Sequence, residues 1–326
     1  MTGAVAVRDR LAADVRRDLG RPRKRLQPRY LYDALGSRLF EAICALPEYR
    51  ITRAEQRLLA AHAGAIGAGL AAPVTIVELG AGSGEKLAQV VEPLMESRVP
   101  VRVELVDVSA TALELAGRTL SRWPDLPVTG HRTTYEAGIE RVAAGRRGDG
   151  AVLAAFLGSN IGNLAPAESR AFVGAVRSGL RRGDRFLLGT DLVKPEAELE
   201  LAYDDPLGVT AAFNLNVLAR LNRELGADFD LDSFAHRAVW NAAASRMEMH
   251  LESLRAQTVE IPGAGFSVDF SEGESIWTES SYKYETEGVR ELGAAAGLAV
   301  TRQWVDERDR FALTAFEPRD SAPQGR

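Results

Sequence analysis

The stretch VTIVELGAGSGEK, residues 74–86, decides the fold. An apolar run, VTIVEL, passes directly into a loop with glycine at Gly80, Gly82 and Gly84, and a helical pattern begins at Lys86. A short run rich in β-branched residues and closed by glycines reads as a strand buried on both faces. Working outward, the same alternation repeats. Strands are predicted at Val74–Leu79, Val101–Val106, Pro127–Thr129, Ala151–Leu157 and Arg185–Leu188. Amphipathic helices are predicted between them at Lys86–Met95, Ala110–Leu120, Tyr135–Ala143 and Pro166–Gly179. Apolar strands separated by helices mean βαβ units, hence an α/β fold with a doubly wound, mostly parallel sheet. Ligands of such sheets bind at the C-terminal ends of the strands.

After Asp191 the alternation stops for about 90 residues, too long for an ordinary crossover loop. The pattern there predicts helices at Glu196–Ala202, Gly208–Leu225 and Ser233–Trp240, then strands at Arg246–Leu254, Gln257–Ile261 and Phe266–Asp269. A helix at Thr286–Ala296 and strands at Val300–Val305 and Arg310–Phe316 resume the first pattern. The expected organisation is a sheet domain of residues 56–191 and 284–318, and a second α+β domain of residues 1–55 and 192–283. The segment DFDLDSF (Asp228, Asp230, Asp232) reads as a helix cap, because a calcium loop needs glycine where Ser233 stands and a carboxylate where Val239 stands.

Composition narrows the function. Hydrophobic residues make up 46% of the 326 and charged residues 26%, the balance of a globular protein. Forty basic side chains against 45 acidic ones give a net charge of −5, which does not suit a general nucleic-acid binder. The single cysteine, Cys44, excludes an internal disulfide, and the scattered histidines (His62, His131, His236, His250) offer no metal-ligand spacing, so no metal is expected. The N-terminus lacks the apolar core of a secretory signal, and no window reaches the ~18 apolar residues of a membrane span, so the cytoplasm is expected. Arg16, Arg17, Arg21, Arg23, Lys24, Arg25 and Arg29 cluster, but without interleaved aromatics they read as a solvated linker rather than an RNA contact. The polar tail after Pro318 reads as frayed.

The glycine loop departs from the dinucleotide fingerprint: Glu85 stands three residues after Gly82, where a glycine is required, and its carboxylate at a helix start opposes a pyrophosphate. The loop therefore suits a ligand without phosphates. S-adenosylmethionine is one, with cationic amino and sulfonium groups that match Glu78. Asp107, at the end of the second strand, is placed to accept from ribose hydroxyls. The fourth strand runs into Ser159-Asn160-Ile161-Gly162-Asn163, a polar end at the ligand edge of the sheet. Asn163 can donate to a carboxylate and accept from an amine, and an asparagine there also serves as a helix cap. These residues alone leave open an NAD-dependent oxidoreductase in the same crevice, and a non-catalytic RNA-associated or scaffold protein.

The segments QPRYLYDALGSRLFEAICALPEYRITRAE, ELGAGSGEK, FLGSNIGN, LLGTDLVK, AYDDPLGVTAAFNLNVL and WTESSYKY stand in one order across residues 25–316. Together they resemble the histidine Nα-methyltransferases of ergothioneine biosynthesis. The resemblance implies a Rossmann-type class I methyltransferase domain using S-adenosylmethionine, a separate substrate-binding domain, and three methyl transfers to the α-amino group of L-histidine, giving hercynine. It further implies that Tyr32 is the catalytic residue near the amine, and that Tyr49, Asn163 and Tyr203 hold the substrate carboxylate. Glu279 and Ser281 would take the imidazole, with Phe213 and Met249 as pocket walls. Glu78, Gly80, Gly82, Lys86 and Asp107 fall in the cofactor segment, and Tyr135 would stack on the adenine. Glu279 and Ser281 alternate along a strand-like segment, which puts both on one side. Two places differ from the family pattern: Arg50-Ile51 follows Tyr49 where an aromatic is frequent, and Thr134 replaces an acid before Tyr135. A relative with the same pocket that methylates another amino acid or amine is a further alternative. The expected partner is a small-molecule substrate, with no nucleic acid and no membrane, and the chain is expected to act as a monomer.

Overall fold

The computed structural model describes residues 2–146 and 148–319. The polar tail beyond Arg319 lies outside the described residues. The chain divides into two units, one of Met1–Arg50 and Lys194–Ser281, the other of Ile51–Val193 and Tyr282–Arg326. The first division falls where a helix begins at Ile51. In chain order the helices are α1 (Thr2–Leu19), α2 (Ala34–Ala45), α3 (Ile51–Gly67), α4 (Glu85–Glu96), α5 (Ala110–Leu120), α6 (Tyr135–Gly145), α7 (Pro166–Gly179), α8 (Glu196–Tyr203), α9 (Val209–Leu225) and α10 (Thr286–Ala295). The strands are β1 (Val74–Leu79), β2 (Val101–Asp107), β3 (Val128–Arg132), β4 (Val152–Phe156), β5 (Arg185–Asp191), β6 (Phe234–Asn241), β7 (Arg246–Ser253), β8 (Gln257–Ile261), β9 (Phe266–Phe270), β10 (Ser275–Tyr282), β11 (Leu298–Asp306) and β12 (Phe311–Pro318).

The sheet unit carries a seven-stranded sheet in the order β11-β12-β5-β4-β1-β2-β3. The pairs β1–β2, β1–β4, β2–β3 and β4–β5 are parallel, and β12 is antiparallel to both β5 and β11. The doubly wound α/β architecture is therefore present. Every residue of β1 and of β4 is buried, the burial expected of central parallel strands. β3 begins one residue later than predicted, because Pro127 has no N–H and enters the ladder only by accepting from Val103 N. The core between sheet and helices is aromatic at its centre, with the rings of Phe156 and Phe172 4.4 Å apart. Truncating such a side chain costs ~3–5 kcal/mol. The chain leaves β1 toward β2 and β3 and returns to β4 beside β1. That reversal opens the crevice at the C-terminal ends of β1 and β4.

In the other unit β10, β7 and β6 form a three-stranded sheet, and β8 and β9 a hairpin. Along β7 the buried residues are Met247, Met249, Leu251 and Ser253, an alternation that fixes which face meets the core. One predicted helix is a strand: Ser233–Trp240 is β6, paired antiparallel with β7 from Phe234↔Ser253 to Asn241↔Arg246. The acidic segment before it leads into a 3-10 turn, Leu231–Ser233, and Asp230 makes no side-chain cap bond there but accepts from Ser233 Oγ. An acidic segment does not dictate the element after it, and Phe234, Val239 and Trp240 favour a strand. The segment Ser275–Tyr282, predicted only as strand-like alternation, is a full strand on the other edge of β7.

Helix α1 buries Leu11, Val15 and Leu19 on one face, along with Asp14 and Asp18. The basic cluster folds onto these acids. Arg17 and Arg29 pair with Asp14; Arg17, Arg21 and Arg25 pair with Asp18; Lys24 pairs with Glu274. Burial pushes the Asp14 and Asp18 carboxyls up, but the bonds from Tyr30, the guanidinium groups and Gln27 outweigh it and hold both low. Among the described residues no helix is long and apolar enough to cross a membrane, and no group of His, Cys, Asp and Glu is arranged to hold a metal ion.

Candidate functional site

At the C-terminal end of β1 the chain turns through Gly80, which has φ +91°, a left-handed value that an L side chain rarely adopts. A methyl group added there would meet Asn160 Nδ2 at 3.2 Å and the Tyr135 hydroxyl at 3.5 Å, so these two side chains border the loop. At Gly82 nothing lies within 4 Å of such a methyl group, and the backbone is open to a ligand. Glu78 is 3% exposed and its Oε2 is buried without a hydrogen-bond partner. Burial pushes its carboxyl well above the usual range, Glu55 and Asp107 push the same way, and Lys86 opposes. Asp107 shapes the loop directly: Oδ2 accepts from Ala81 N at 3.1 Å and Oδ1 from Ser109 N at 2.8 Å. Burial raises its pKa, and those backbone donors oppose the rise.

Around this loop Lys86 Nζ pairs with the fully buried Glu55 at 2.5 Å. Glu85 sits on the first turn of α4 and pairs with Arg122 at 3.1 Å. Tyr135 packs its ring edge-on against Phe156, centroids 5.1 Å apart, and burial raises its phenol pKa. Thr134 caps α6 by accepting from Ala137 N, which explains a threonine at that position in local terms. Asn163 is half-buried at the end of the 3-10 turn Asn160–Asn163. A separate cavity of about 570 Å³ lies at the opposite, N-terminal edge of the sheet, lined by Thr75, Arg98, Arg102 and Asp125 among others, away from these residues.

The second cluster lies wholly in the other unit. Glu279 and Ser281 both face one side of β10, 7% and 6% exposed. The Tyr203 hydroxyl donates to Ser281 Oγ at 2.8 Å, and the Tyr32 hydroxyl reaches Glu279 Oε1 at 3.4 Å. The rings of Tyr32, Phe40, Tyr49, Phe213 and Tyr203 form a chain of neighbours at 5.3–6.4 Å between centroids. Met249 is buried on β7 and accepts at its carbonyl from Thr278 Oγ1 at 2.9 Å. Tyr32, Tyr49, Tyr203, Phe213, Met249, Glu279 and Ser281 thus belong to one unit. Glu78, Gly80, Gly82, Lys86, Asp107, Tyr135 and Asn163 belong to the other.

Several residues of this arrangement had no sequence role. Phe40, on the second turn of α2, links Tyr32 to Tyr49. His236 supports the last turn of α8: its Nε2 bonds the Tyr203 carbonyl at 2.8 Å while Asn214 Nδ2 donates to its Nδ1 at 2.9 Å. An amide donor on Nδ1 fixes the neutral tautomer with the proton on Nε2. Burial holds the His236 pKa below its ordinary value, opposed by the Tyr203 carbonyl and by Asp204 and Asp205. Only the misread β6 kept His236 out of view.

A family model described as histidine-specific methyltransferase, SAM-dependent, matches residues 11–318. The chain belongs to this family. It is 42% identical to a histidine N-alpha-methyltransferase of Mycolicibacterium smegmatis, over 93% of this chain and 94% of that protein. It is 41% identical to the protein of the same name from Mycobacterium tuberculosis, over the same shares. An ergothioneine biosynthesis protein 1 of Neurospora crassa is 27% identical over 84% of this chain, which spans 31% of the fungal protein. The chain is therefore an S-adenosylmethionine-dependent methyltransferase, and neither an NAD-dependent oxidoreductase nor a non-catalytic scaffold. The crevice suits that cofactor: a buried, unpartnered carboxylate oxygen of Glu78 fits a cation, and Glu85 on the first turn of α4 disfavours a phosphate there.

Proposed function

We propose that the protein methylates the α-amino nitrogen of L-histidine three times, forming hercynine for ergothioneine biosynthesis. The observation that carries this reading is the pairing on β10. A carboxylate and a hydroxyl, two residues apart on one face, are each met by a tyrosine hydroxyl. A neutral imidazole carries one N–H and one lone pair. Glu279 accepts from the N–H, and the Ser281 hydroxyl, oriented by Tyr203, donates to the other nitrogen. An amino acid without these groups would forgo both bonds, which is how a site built for hydrogen bonds discriminates against analogues.

S-adenosylmethionine supplies a methyl group on a positively charged sulfur. Glu78, the Gly80–Gly82 backbone, Asp107 and Tyr135 are the residues that would hold it, with Lys86 behind the loop. The resemblance assigns the substrate carboxylate to Tyr49 in one unit and to Asn163 in the other. Tyr203, assigned to that carboxylate by the resemblance, also donates from its hydroxyl to Ser281 Oγ at 2.8 Å. The amine must be neutral to attack, and each N–H proton is lost before the next transfer. Tyr32 orients the amine. Most of the rate gain in such a displacement comes from orientation, for which effective molarities reach ~10⁵ M or more. The aromatic chain of Tyr32, Phe40, Tyr49 and Phe213 suits a nitrogen that becomes a permanent cation.

The test is incubation of the protein and S-adenosylmethionine with all twenty amino acids, followed by mass spectrometry. The expected product is trimethylated histidine alone. Methylation of another amino acid in preference to histidine refutes the substrate assignment.

A further inference from the structure

Helix α3 is apolar where it meets the sheet, burying Ala54, Leu58, Leu59 and Ile66, yet Glu55 on the same helix is 0% exposed. A buried carboxylate is costly unless it is fully paired. Glu55 accepts from Gly158 N at 2.8 and 2.9 Å through its two oxygens, and Oε2 also meets Lys86 Nζ. The neighbouring strand leaves room for it: a methyl group on Gly189 of β5 would stand 2.3 Å from Glu55 Oε1.

Both partners of this carboxylate lead to the glycine loop. Lys86 follows the loop on the first turn of α4. Gly158 opens the turn after β4, with φ +76°, and Ser159 follows at φ +59°. Two successive left-handed residues, one of them not glycine, persist only where the surroundings hold them. Glu55 holds the first through its N–H, and Ser159 Oγ is held by Asp191 N at 2.8 Å. The next residue is Asn160, whose amide borders Gly80.

We propose that Glu55 is a positioning residue for the cofactor crevice: it holds Lys86 and the 158–160 turn in the shape that receives S-adenosylmethionine. It rests on the cofactor assignment and not on histidine as substrate. Replacing Glu55 with glutamine keeps an acceptor for Gly158 but turns an amide N–H₂ toward the Lys86 ammonium, two donors face to face.

The test is calorimetry with S-adenosylmethionine and no amine substrate, so a wrong substrate assignment does not affect it. Glu55→Gln is expected to weaken binding by about tenfold or more, since a charge-assisted bond is replaced by a repulsive contact. The double variant Glu55→Gln with Lys86→Met is expected to bind no more weakly than Lys86→Met alone, because the donor clash has gone. In steady state, the KM for S-adenosylmethionine should rise while kcat at saturation stays within about threefold. A folded Glu55→Gln protein with unchanged affinity, or additive losses in the double variant, overturns the proposal. If Glu55→Gln fails to fold, Glu55→Asp, which keeps the charge but draws the carboxylate back from Gly158 N and Lys86 Nζ, decides in its place. Weakened binding supports the assignment and unchanged binding rejects it.

Discussion

The glycine loop and the β10 cluster, proposed as the cofactor and substrate sites, are built by opposite means. At the loop, backbone does the shaping: Gly80 takes a left-handed turn, Asp107 ties two amides, and one buried carboxylate oxygen of Glu78 is left without a partner. On β10, side chains do it: Glu279 and Ser281 are already met by Tyr32 and Tyr203 within a wall of rings. A site with an unmatched charge is stabilised by its ligand, whereas one matched beforehand is pre-organised for its ligand. Mutations in the two regions should therefore fail differently.

The sharpest break is expected on β10. Glu279→Ala should lower kcat/KM for histidine by ~2–4 kcal/mol, the loss of a charge-assisted bond in a buried site, while affinity for S-adenosylmethionine is kept. Steady-state kinetics with each substrate varied in turn checks this. An unchanged histidine KM removes Glu279 from the ring site.

At the loop the sign reverses for stability. The Glu78 carboxyl titrates above its ordinary value of 4.5, so its contribution favours the fold at low pH and is lost as pH rises through the raised pKa. Glu78→Gln, which removes the titrating group, should then lessen the fall in stability of the ligand-free protein as pH rises and weaken its affinity for the cationic cofactor. Thermal melts across pH, with and without S-adenosylmethionine, report both effects. A variant whose stability falls as before with pH and which binds normally would erase the contrast between the regions.

A smaller effect sharpens the comparison. Tyr203→Phe removes the donor to Ser281 and should cost about 1 kcal/mol in histidine binding, read as a rise in KM. The same change should leave cofactor affinity alone. The smallest effect concerns His236, whose pKa lies below 6.5 in the folded protein. Its contribution is present above the unfolded value and is lost as pH falls, because burial disfavours the charged ring. Stability measured from pH 8 to pH 5 should fall less in His236→Gln than in the unaltered protein.

The sheet unit was largely legible because its strands announce themselves. VTIVEL and AVLAAF are buried on both faces, and their ends carry glycines and caps that point one way. The β10 face was legible only as alternation, and its pairing with the tyrosines came from contacts between residues far apart in sequence. β6 was lost because FAHRAVWN is a half-exposed strand with an acidic segment before it that reads as a helix cap, so His236 and its hold on Tyr203 were lost with it. Glu55 gave no sign, since an acid on an amphipathic helix reads as solvent-facing until the fold shows what it touches.

The central proposal is that Glu279 and Ser281 hold the ring, which leaves the α-nitrogen as the group that is methylated. It is tested most directly by carbon-13 NMR of the product made from histidine and S-adenosylmethionine labelled in its methyl group. The account predicts label on the α-nitrogen only. Label on a ring nitrogen would contradict it.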